Sequence, residues 1–209
     1  MGVVTALRTT RRGRVAVYVD DAYVCSVSEA LLARLRLYQS LWLDDADIRS
    51  LREQASAERV LADAYRLLGQ RQRSRRELER RLLQKEHTEQ AIAEALDRLE
   101  ADGLLDDTAF AAAFVADKRH LAGWGVERIR RGLADLGVAA ETIERALASG
   151  DEADELERAL KFLRRRQTPQ PPLEADRRRA YAALHRRGFA GTVCYEAIRR
   201  WVEEHLQEP

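Results

Sequence analysis

The chain has 209 residues, of which 45% are hydrophobic and 34% are charged, and its 36 basic and 35 acidic side chains leave a formal net charge of +1. This apolar content is typical of a folded globular protein, and the length suits one or two domains. No apolar run reaches the roughly 20 residues that a membrane span requires, and the first ten residues lack the order of a secretory signal. We therefore expect a cytoplasmic protein.

The N-terminal residues predict a small antiparallel sheet. Val3 to Thr9 and Arg14 to Val19 are rich in Val and Thr and flank Arg11-Arg12-Gly13, a pattern typical of a β-hairpin. Asp20-Asp21 then turns the chain into a third strand, Tyr23 to Ser26.

Two short helices are predicted to complete this N-terminal module. Ser28 is the expected N-cap of a helix that runs through Arg36. Asp44 is the expected N-cap of a second helix, with Asp47 in the capping-box position. We place the module at residues 1–56. Because it is small, we expect it to pack on the helices C-terminal to it.

From Ala57 onward the sequence predicts helices only, in a pattern that recurs with an offset of 51 residues. Adding 51 to Leu78, Leu82, Ile92 and Leu96 gives Ile129, Leu133, Ile143 and Leu147, and adding 51 again gives Ala180, Leu184, Cys194 and Ile198. A constant offset of this kind is typical of a repeat architecture. We predict a mainly α protein with three tandem three-helix modules, at residues 57–105, 106–150 and 151–209, that form an elongated curved array.

Capping residues accompany the repeat. Ser74 with Glu77 forms a predicted capping box, and Gly125 and Asp176 are the N-cap candidates at the equivalent positions.

Turn residues also recur along the repeat. Gly137 and Gly188 suit a left-handed turn that ends the middle helix, whereas the first copy has Glu86 there. Residues 103–107 combine a C-terminal glycine, an apolar pair and an N-cap, which predicts modules joined almost without a linker. The prolines of Thr168 to Pro172 predict a stiff extended loop in the third module.

The charged residues are sorted into blocks. Residues 71–85 carry seven Arg or Lys against two acids, residues 118–131 five against one, and residues 158–187 ten against two. Residues 86–107 and 135–157 each carry eight acids against one Arg. This alternation predicts a basic band and an acidic band across the modules. Ordinary solvated helix faces are the alternative interpretation, and the pattern alone leaves both open.

The basic blocks supply candidate residues for contact with DNA or with a protein partner. Arg80 maps onto Arg131 but then onto Ala182, so the basic positions do not recur, which favours phosphate or protein-surface contacts over a base-reading code. Trp124 lies between two glycines, where stacking on a base, docking of a partner and packing under its own loop are all open. The candidates are Arg71, Arg73, Arg75, Arg76, Arg80, Arg81, Lys85, Lys118, Arg119, Trp124, Arg128, Arg130, Arg131, Lys161, Arg164, Arg165, Arg177, Arg178, Arg186 and Arg187.

Motifs for catalysis and metal binding are missing from the sequence. The four histidines stand apart, without an HExxH pattern and without Cys or Asp at ligand spacing. Neither a GxxxxGK[ST] loop nor a GxGxxG turn occurs. Cys25 and Cys194 lie in different segments and are expected to be reduced core residues. We therefore expect no enzymatic activity, no metal and no cofactor.

Three stretches of the helical part resemble the RecX regulatory family of bacteria. They are YRLLGQRQRSRRELERRLLQKE, LEADGLLDDTAFAAAFVADKR and GVERIRRGLADLGVAAETIERAL. The stretch VAVYVDDAYVCSVSEALLARLRL resembles the extra segment of the longer members, and RRAYAALHRRGF matches the last module. The Leu-Asp-Asp junction before Phe110 is the most specific part. Asp21 and Ser40 depart from the glycines that are common in the family.

The resemblance implies a regulator without catalysis. RecX proteins bind the RecA recombinase, lodge in the groove of its filament on single-stranded DNA, and restrain its ATPase and strand-exchange activities. It implies that this chain is a monomer that takes part in recombination, DNA repair and the SOS response. Its implied partners are RecA and single-stranded DNA, with double-stranded DNA as a further candidate. One alternative is a helix-turn-helix transcription regulator, which would prefer one DNA sequence. Another is a general helical scaffold for proteins.

Overall fold

The computed structural model describes residues 1–11, 13–148, 152–165 and 174–207. The chain divides into two compact units, of which the first comprises Met1–Gln72 and Leu78–Leu105, and the second Arg73–Glu77 and Asp106–Pro209. The fold is mainly helical with a small N-terminal antiparallel sheet, as predicted. The proline loop predicted from Thr168 to Pro172 lies outside the described residues.

The first unit begins with a four-stranded sheet in the order β3-β2-β1-β4. Its strands are β1 (Gly2–Thr9), β2 (Val15–Val19), β3 (Ala22–Val27) and β4 (Trp42–Leu43). The predicted hairpin and third strand are confirmed. The fourth strand was not predicted because it has only two residues, which pair with Gly2 and Val3 and are too few to show alternation.

The turn between β2 and β3 forms without glycine. Asp20 and Asp21 both adopt left-handed conformations, with φ of 47° and 65°, and Asp is among the residues that tolerate this region. The Asp20 carboxylate accepts a hydrogen bond of 2.9 Å from the Val3 amide. Side-chain hydrogen bonding therefore stabilises a turn that a glycine would otherwise favour.

Two helices follow the sheet, α1 (Glu29–Arg34) and α2 (Asp45–Leu68). The predicted caps are confirmed, since Ser28 accepts from the Leu31 amide at 3.0 Å and Asp44 forms a capping box with Asp47. Helix α1 ends two residues earlier than predicted because Arg36 is left-handed, with φ of 49°.

Helix α2 runs without a break for 24 residues. The helical segments predicted before and after residue 57 are therefore one helix. Leu51 and Ala55 belong to the core beneath the sheet, whereas Val60 and Ala64 belong to the core of the next helices in the chain. One helix thus contributes to both cores of the first unit. The module boundaries drawn from the sequence stay a prediction.

The remaining helices carry the repeated apolar positions. They are α3 (Arg75–Leu83), α4 (Glu89–Ala101), α5 (Asp107–His120), α6 (Val126–Asp135), α7 (Ala140–Leu147), α8 (Glu152–Arg164), α9 (Glu174–Arg186) and α10 (Gly191–Gln207). Every residue of the repeat that was predicted to face inward is buried. The three copies occupy three separate hydrophobic clusters, so each copy has its own core.

Two of the three predicted N-caps of the repeat are confirmed. Ser74 Oγ accepts from the Glu77 amide at 3.1 Å, and Gly125 is the N-cap of α6. The prediction for Asp176 was wrong, because α9 begins at Glu174 and Asp176 lies inside its first turn. There the buried carboxylate of Asp176 pairs with Arg179 at 2.7 Å and interacts favourably with the helix dipole.

The left-handed turns of the repeat are confirmed. Gly137 and Gly188 have φ of 79° and 82°, and Glu86 adopts the same region with φ of 62°. The conformation of this turn is therefore kept in all three copies, although only two of them have glycine.

In the second unit, the turns at Gly137 and Gly188 each contact the start of another helix, and we call these contacts joints. The Arg187 carbonyl, next to Gly188, accepts from the Gly125 amide at 2.9 Å, and the Gly188 carbonyl accepts from the Glu127 amide at 2.9 Å. Free amides at the start of α6 are thus satisfied by the turn after α9.

The same joint occurs 51 residues earlier. The Leu136 carbonyl, next to Gly137, accepts from Ser74 Oγ, and these residues correspond to Arg187 and Gly125. Equivalent positions of the repeat are therefore joined in both places, although the donor is the Ser74 hydroxyl in one and the Gly125 amide in the other.

We predict that Gly188→Ala destabilises the protein more than Gly103→Ala. Both glycines are left-handed, which costs about 1–2 kcal/mol for another residue. A Cβ at Gly188 would lie 2.3 Å from the Arg128 backbone nitrogen, whereas nothing lies within 4 Å at Gly103. Overpacking adds about 1–3 kcal/mol at Gly188 alone. Urea denaturation measures both losses, and equal losses would contradict a close-packed joint.

Candidate functional site

Two of the predicted contact residues are buried. Arg73 is 7% exposed and pairs with Glu77, and Arg119 is 8% exposed. Arg119 Nη2 donates to the Leu147 carbonyl at 2.7 Å, which satisfies an acceptor at the C-terminal end of α7. Both side chains are held inside the fold, so the structure leaves neither accessible to a partner.

Four more of the predicted cations are engaged by carboxylates. Arg130 contacts Glu127 and Glu144, Arg164 contacts Glu204, Arg178 contacts Glu174 at 3.2 Å, and Lys85 contacts Asp63 at 3.0 Å. The hydrogen bonds of Arg130 to its two carboxylates raise its pKa and lower the pKa of Glu144. Carboxylates within the fold thus neutralise these four cations, and the pair of Arg130 with Glu144 joins a basic block to an acidic block.

Trp124 packs within a cluster of cations and aromatic rings. Its ring lies edge-on to Phe114 at 6.5 Å between centroids and is half-buried. Arg128 Cζ lies 4.0 Å from the Trp124 ring centroid, and Lys118 Nζ lies 5.1 Å from it. These are cation–π distances. Of the three roles that the sequence left open, the structure shows packing, and Arg128 already covers a face of the ring.

Three more candidates make contacts at or near the joints of the second unit, namely Arg187, Arg76 and Arg75. Arg187 Nη1 donates to the Ala122 carbonyl at 3.0 Å, and its guanidinium lies 4.3 Å from the Phe162 ring centroid. The stem of Arg76 packs against the backbone of Gly137. The amide of Arg75 donates to Asp107 at 2.8 Å. These residues have structural contacts that position them.

The remaining candidates are exposed on the surface. Arg131 donates to the Glu127 carbonyl at 3.3 Å, and Arg71 to the Gln72 carbonyl at 2.9 Å. Other exposed cations in this group are Arg80, Arg81, Lys161, Arg165, Arg177 and Arg186. Within the described part of the chain, no carboxylate lies at ion-pair distance from Arg131, Lys161, Arg165, Arg177 or Arg186 in the second unit. These five are accessible positive charges of that unit.

A group of arginines outside the basic blocks was missed by the sequence analysis. Arg11, Arg14, Arg52 and Arg59 line an open cleft of about 710 Å³ in the first unit. They belong to two segments that are distant in sequence, so no block of charge marks them. The one available signal was the spacing of Arg52 and Arg59, which lie seven residues apart and hence on one face of α2.

Asp63 is the centre of a partly buried polar network in the first unit. Its carboxylate accepts from Arg66 at 2.8 Å, from Lys85 at 3.0 Å and from His87 Nε2 at 3.0 Å. Burial alone raises the pKa of Asp63, but the hydrogen bonds from Arg66, His87 and Lys85 outweigh it and hold the pKa well below its usual value. This network fixes the turn before α4 to α2.

We predict that Asp63→Asn destabilises the protein in a pH-dependent manner. The folded state holds the Asp63 pKa below its unfolded value of about 3.9, so the carboxylate contributes stability above that pH and loses it as pH falls. Losing hydrogen bonds to charged groups costs about 1.5–3 kcal/mol at pH 7. Denaturation at pH 7 and pH 3 measures the difference, which should shrink at pH 3. Glu53→Gln, an exposed change on α2, is the control, and an equal difference at both pH values would contradict the prediction.

The described residues hold neither a metal-ligand cluster nor a cysteine of lowered pKa. No cluster of three or more His, Cys, Asp or Glu side chains among them could hold a metal ion. Burial raises the pKa of Cys25 and of Cys194 to about 11, so both thiols are protonated at neutral pH. Across the same residues, no helix has the length and hydropathy needed to cross a membrane.

The fold and surface define a mainly helical protein built from three-helix domains with exposed cations. Residues 61–99 match the model of the first three-helix domain of RecX, and residues 106–147 match that of the second. The regulatory protein RecX of Bacillus subtilis (strain 168) is 30% identical over 202 residues, which cover 95% of this chain and 76% of that protein. The chain belongs to the RecX family of regulatory proteins.

Other relatives agree with this assignment. The regulatory protein RecX of Xanthomonas axonopodis pv. citri (strain 306) is 39% identical over 157 residues, which cover 75% of this chain and 93% of that protein. A crystal structure of regulatory protein RecX superposes with a TM-score of 0.70 at 24% identity, covering 96% of this chain and all of that one. RecX from Lactobacillus salivarius gives a TM-score of 0.62 at 18% identity, over 70% of this chain and 96% of that one. The two structures support the fold.

Proposed function

We propose that this chain is a non-catalytic regulator that binds the RecA recombinase and its filament on single-stranded DNA. In this role it acts in the cytoplasm as a monomer and restrains the ATPase and strand-exchange activities of RecA. Sequence-independent contact with DNA is an accessory part of the function. The observation that carries the proposal is the match of residues 61–99 and 106–147 to the two RecX three-helix domains.

The charge distribution supports accessory DNA binding through phosphates. Arg131, Lys161, Arg165, Arg177 and Arg186 are exposed in the second unit without a described carboxylate partner. Cations that are not neutralised within the protein release counterions from DNA when they contact phosphates. These cations do not lie at equivalent positions of the repeat, so they favour contact with the backbone over recognition of bases.

We predict that the purified chain hydrolyses no ATP and slows ATP hydrolysis by RecA on single-stranded DNA. Inhibition should increase with the concentration of the chain and reach a plateau when the filament is saturated. A coupled ATPase assay measures the rate, and heat-unfolded chain is the control. An unchanged RecA rate at a saturating excess of folded chain would contradict the proposed function.

We predict that Arg131→Ala with Arg177→Ala weakens binding to single-stranded DNA of any sequence. Each lost phosphate contact reduces the slope of log affinity against log salt by about 0.7, so the pair reduces it by about 1.4. The matched control is Arg130→Ala with Arg178→Ala, on the same two helices, because carboxylates already neutralise these arginines. Fluorescence anisotropy at several salt concentrations measures both slopes.

Two outcomes would contradict the accessory role. Equal slopes for the two double variants would mean that the exposed cations do not contact phosphates. A strong preference of the unmodified chain for one DNA sequence would instead favour a helix-turn-helix transcription regulator, since such a regulator requires a preferred site.

A further inference from the structure

The cleft in the first unit has a strongly basic lining. It lies between the β-sheet, α2 and the turn before α4, and its volume is about 710 Å³. Four arginines line it, Arg11, Arg14, Arg52 and Arg59, against one lining carboxylate, Glu86. None of these arginines belongs to the three basic blocks of the sequence.

Three of the four arginines have a positive charge that is accessible to a ligand. Arg14 Nη2 pairs with Glu58 at 2.9 Å and also donates to the Ser26 carbonyl at 2.7 Å, so its charge is neutralised and its position is fixed. Arg11, Arg52 and Arg59 are exposed. Among the described residues no carboxylate lies within ion-pair distance of these three. The cleft therefore concentrates positive charge that the fold itself does not use.

The wall that carries Arg14 is held by a hydrogen-bonded carboxylate. Glu58 accepts from the Ser28 amide at 3.0 Å and from the Ser28 hydroxyl. These contacts join α2 to the N-cap of α1. They fix the wall before any ligand enters, which reduces the entropy that binding would otherwise lose.

An exposed aromatic ring lies on the cleft. Tyr23 lines it and is 57% exposed. Its hydroxyl lies 3.1 Å from Ser26 Oγ, and its ring contacts Tyr18 edge-on with 5.9 Å between centroids. The ring is thus held in one orientation while much of its surface remains in water. A fixed and exposed ring beside cations is the arrangement on which nucleic acid bases stack.

The other residues of the lining favour a sugar-phosphate backbone over a protein partner as the ligand. Thr10, Ser26, Ser56 and Thr88 add hydroxyls, whereas Val24 and Ala55 are small apolar residues. Protein partners often insert a large aromatic anchor into a pocket, whereas the apolar residues of this lining are small. Sugar-phosphate backbones are bound by arginines and hydroxyls.

The spacing of the arginines favours an extended ligand. Arg52 and Arg59 are seven residues apart on α2, which separates their Cα atoms by about 10 Å along the helix. Arg11 is carried by the β-hairpin, on another side of the cleft. A chain of phosphates can contact cations that are separated in this way, whereas a single phosphate ion cannot contact all three.

We propose that this cleft binds single-stranded nucleic acid, with Arg11, Arg52 and Arg59 on its phosphates and Tyr23 stacked on a base. The proposal takes its ligand class from the accessory DNA binding of the proposed function, but it locates a separate site in the N-terminal part of the chain. The full chain would then hold one strand at the cleft and contact phosphates through the second unit as well.

The test uses the full chain and a labelled oligothymidylate of about 16 nucleotides, without RecA. Arg52→Ala with Arg59→Ala should reduce the slope of log affinity against log salt by about 1.4. Arg34→Ala with Arg49→Ala is the matched control, because these exposed arginines of the same unit do not line the cleft. Circular dichroism and thermal melting confirm that every variant is folded.

A second pair of variants tests the stacking. Tyr23→Ala should weaken binding about tenfold because it removes the ring. Tyr23→Phe keeps the ring and removes only the hydroxyl contact with Ser26, so it should bind nearly as well as the original chain. Equal losses in these two variants would overturn the stacking role of Tyr23.

Other outcomes separate this site from the proposed function. If the cleft and control double variants bind the oligonucleotide equally well, the cleft does not bind nucleic acid, even where the chain inhibits RecA. If a polyglutamate peptide displaces the oligonucleotide as well as unlabelled oligothymidylate does at equal charge, binding does not distinguish phosphates from carboxylates and the proposal is wrong. Loss of oligonucleotide binding in the cleft variant supports the site whether or not RecA is inhibited.

Discussion

The second unit depends on a contact between the left-handed turn that ends one helix and the first amides of another. Gly188 turns the chain after α9 so that two carbonyls meet the start of α6, and it approaches the Arg128 backbone so closely that no Cβ fits. At the equivalent positions, the Leu136 carbonyl next to Gly137 accepts from Ser74 Oγ. Because a helix start leaves amides without partners, the joint at Gly188 satisfies groups that would otherwise be buried at a cost, whereas the joint at Gly137 satisfies a side-chain hydroxyl.

The turn of the first copy has different surroundings. Glu86 keeps the left-handed conformation without glycine, and its neighbour His87 is hydrogen-bonded to Asp63. Glu86 and His87 line the cleft of the first unit. The same turn therefore contacts the start of another helix in the later copies and forms part of a cleft wall in the first. Because Glu86 is exposed, its side chain is accommodated at a position where the later copies have no room for a Cβ.

Much of the charge in this protein is engaged within the fold. The basic and acidic blocks suggest two separate bands, but the ion pair of Arg130 with Glu144 joins one block to the other. Arg119 and Arg73 are buried. The cations that remain accessible are fewer than the sequence suggests and include two groups, one on the second unit and one around the cleft of the first. Family membership supports the proposed regulation of RecA, and these exposed cations support the proposed contact with DNA.

The sequence by itself determined the helices of the repeat, their buried residues and most of their caps, because helical periodicity and capping are local properties of the chain. It also determined the family, through motifs along most of the chain. Only the tertiary structure decided which arginines are accessible, since pairing depends on groups such as the Glu144 carboxylate and the Leu147 carbonyl that lie distant in sequence. The cleft also depends on the tertiary structure, because the β-hairpin brings Arg11 to the face of α2 that carries Arg52 and Arg59. No pattern in the linear sequence predicts that these residues lie close together.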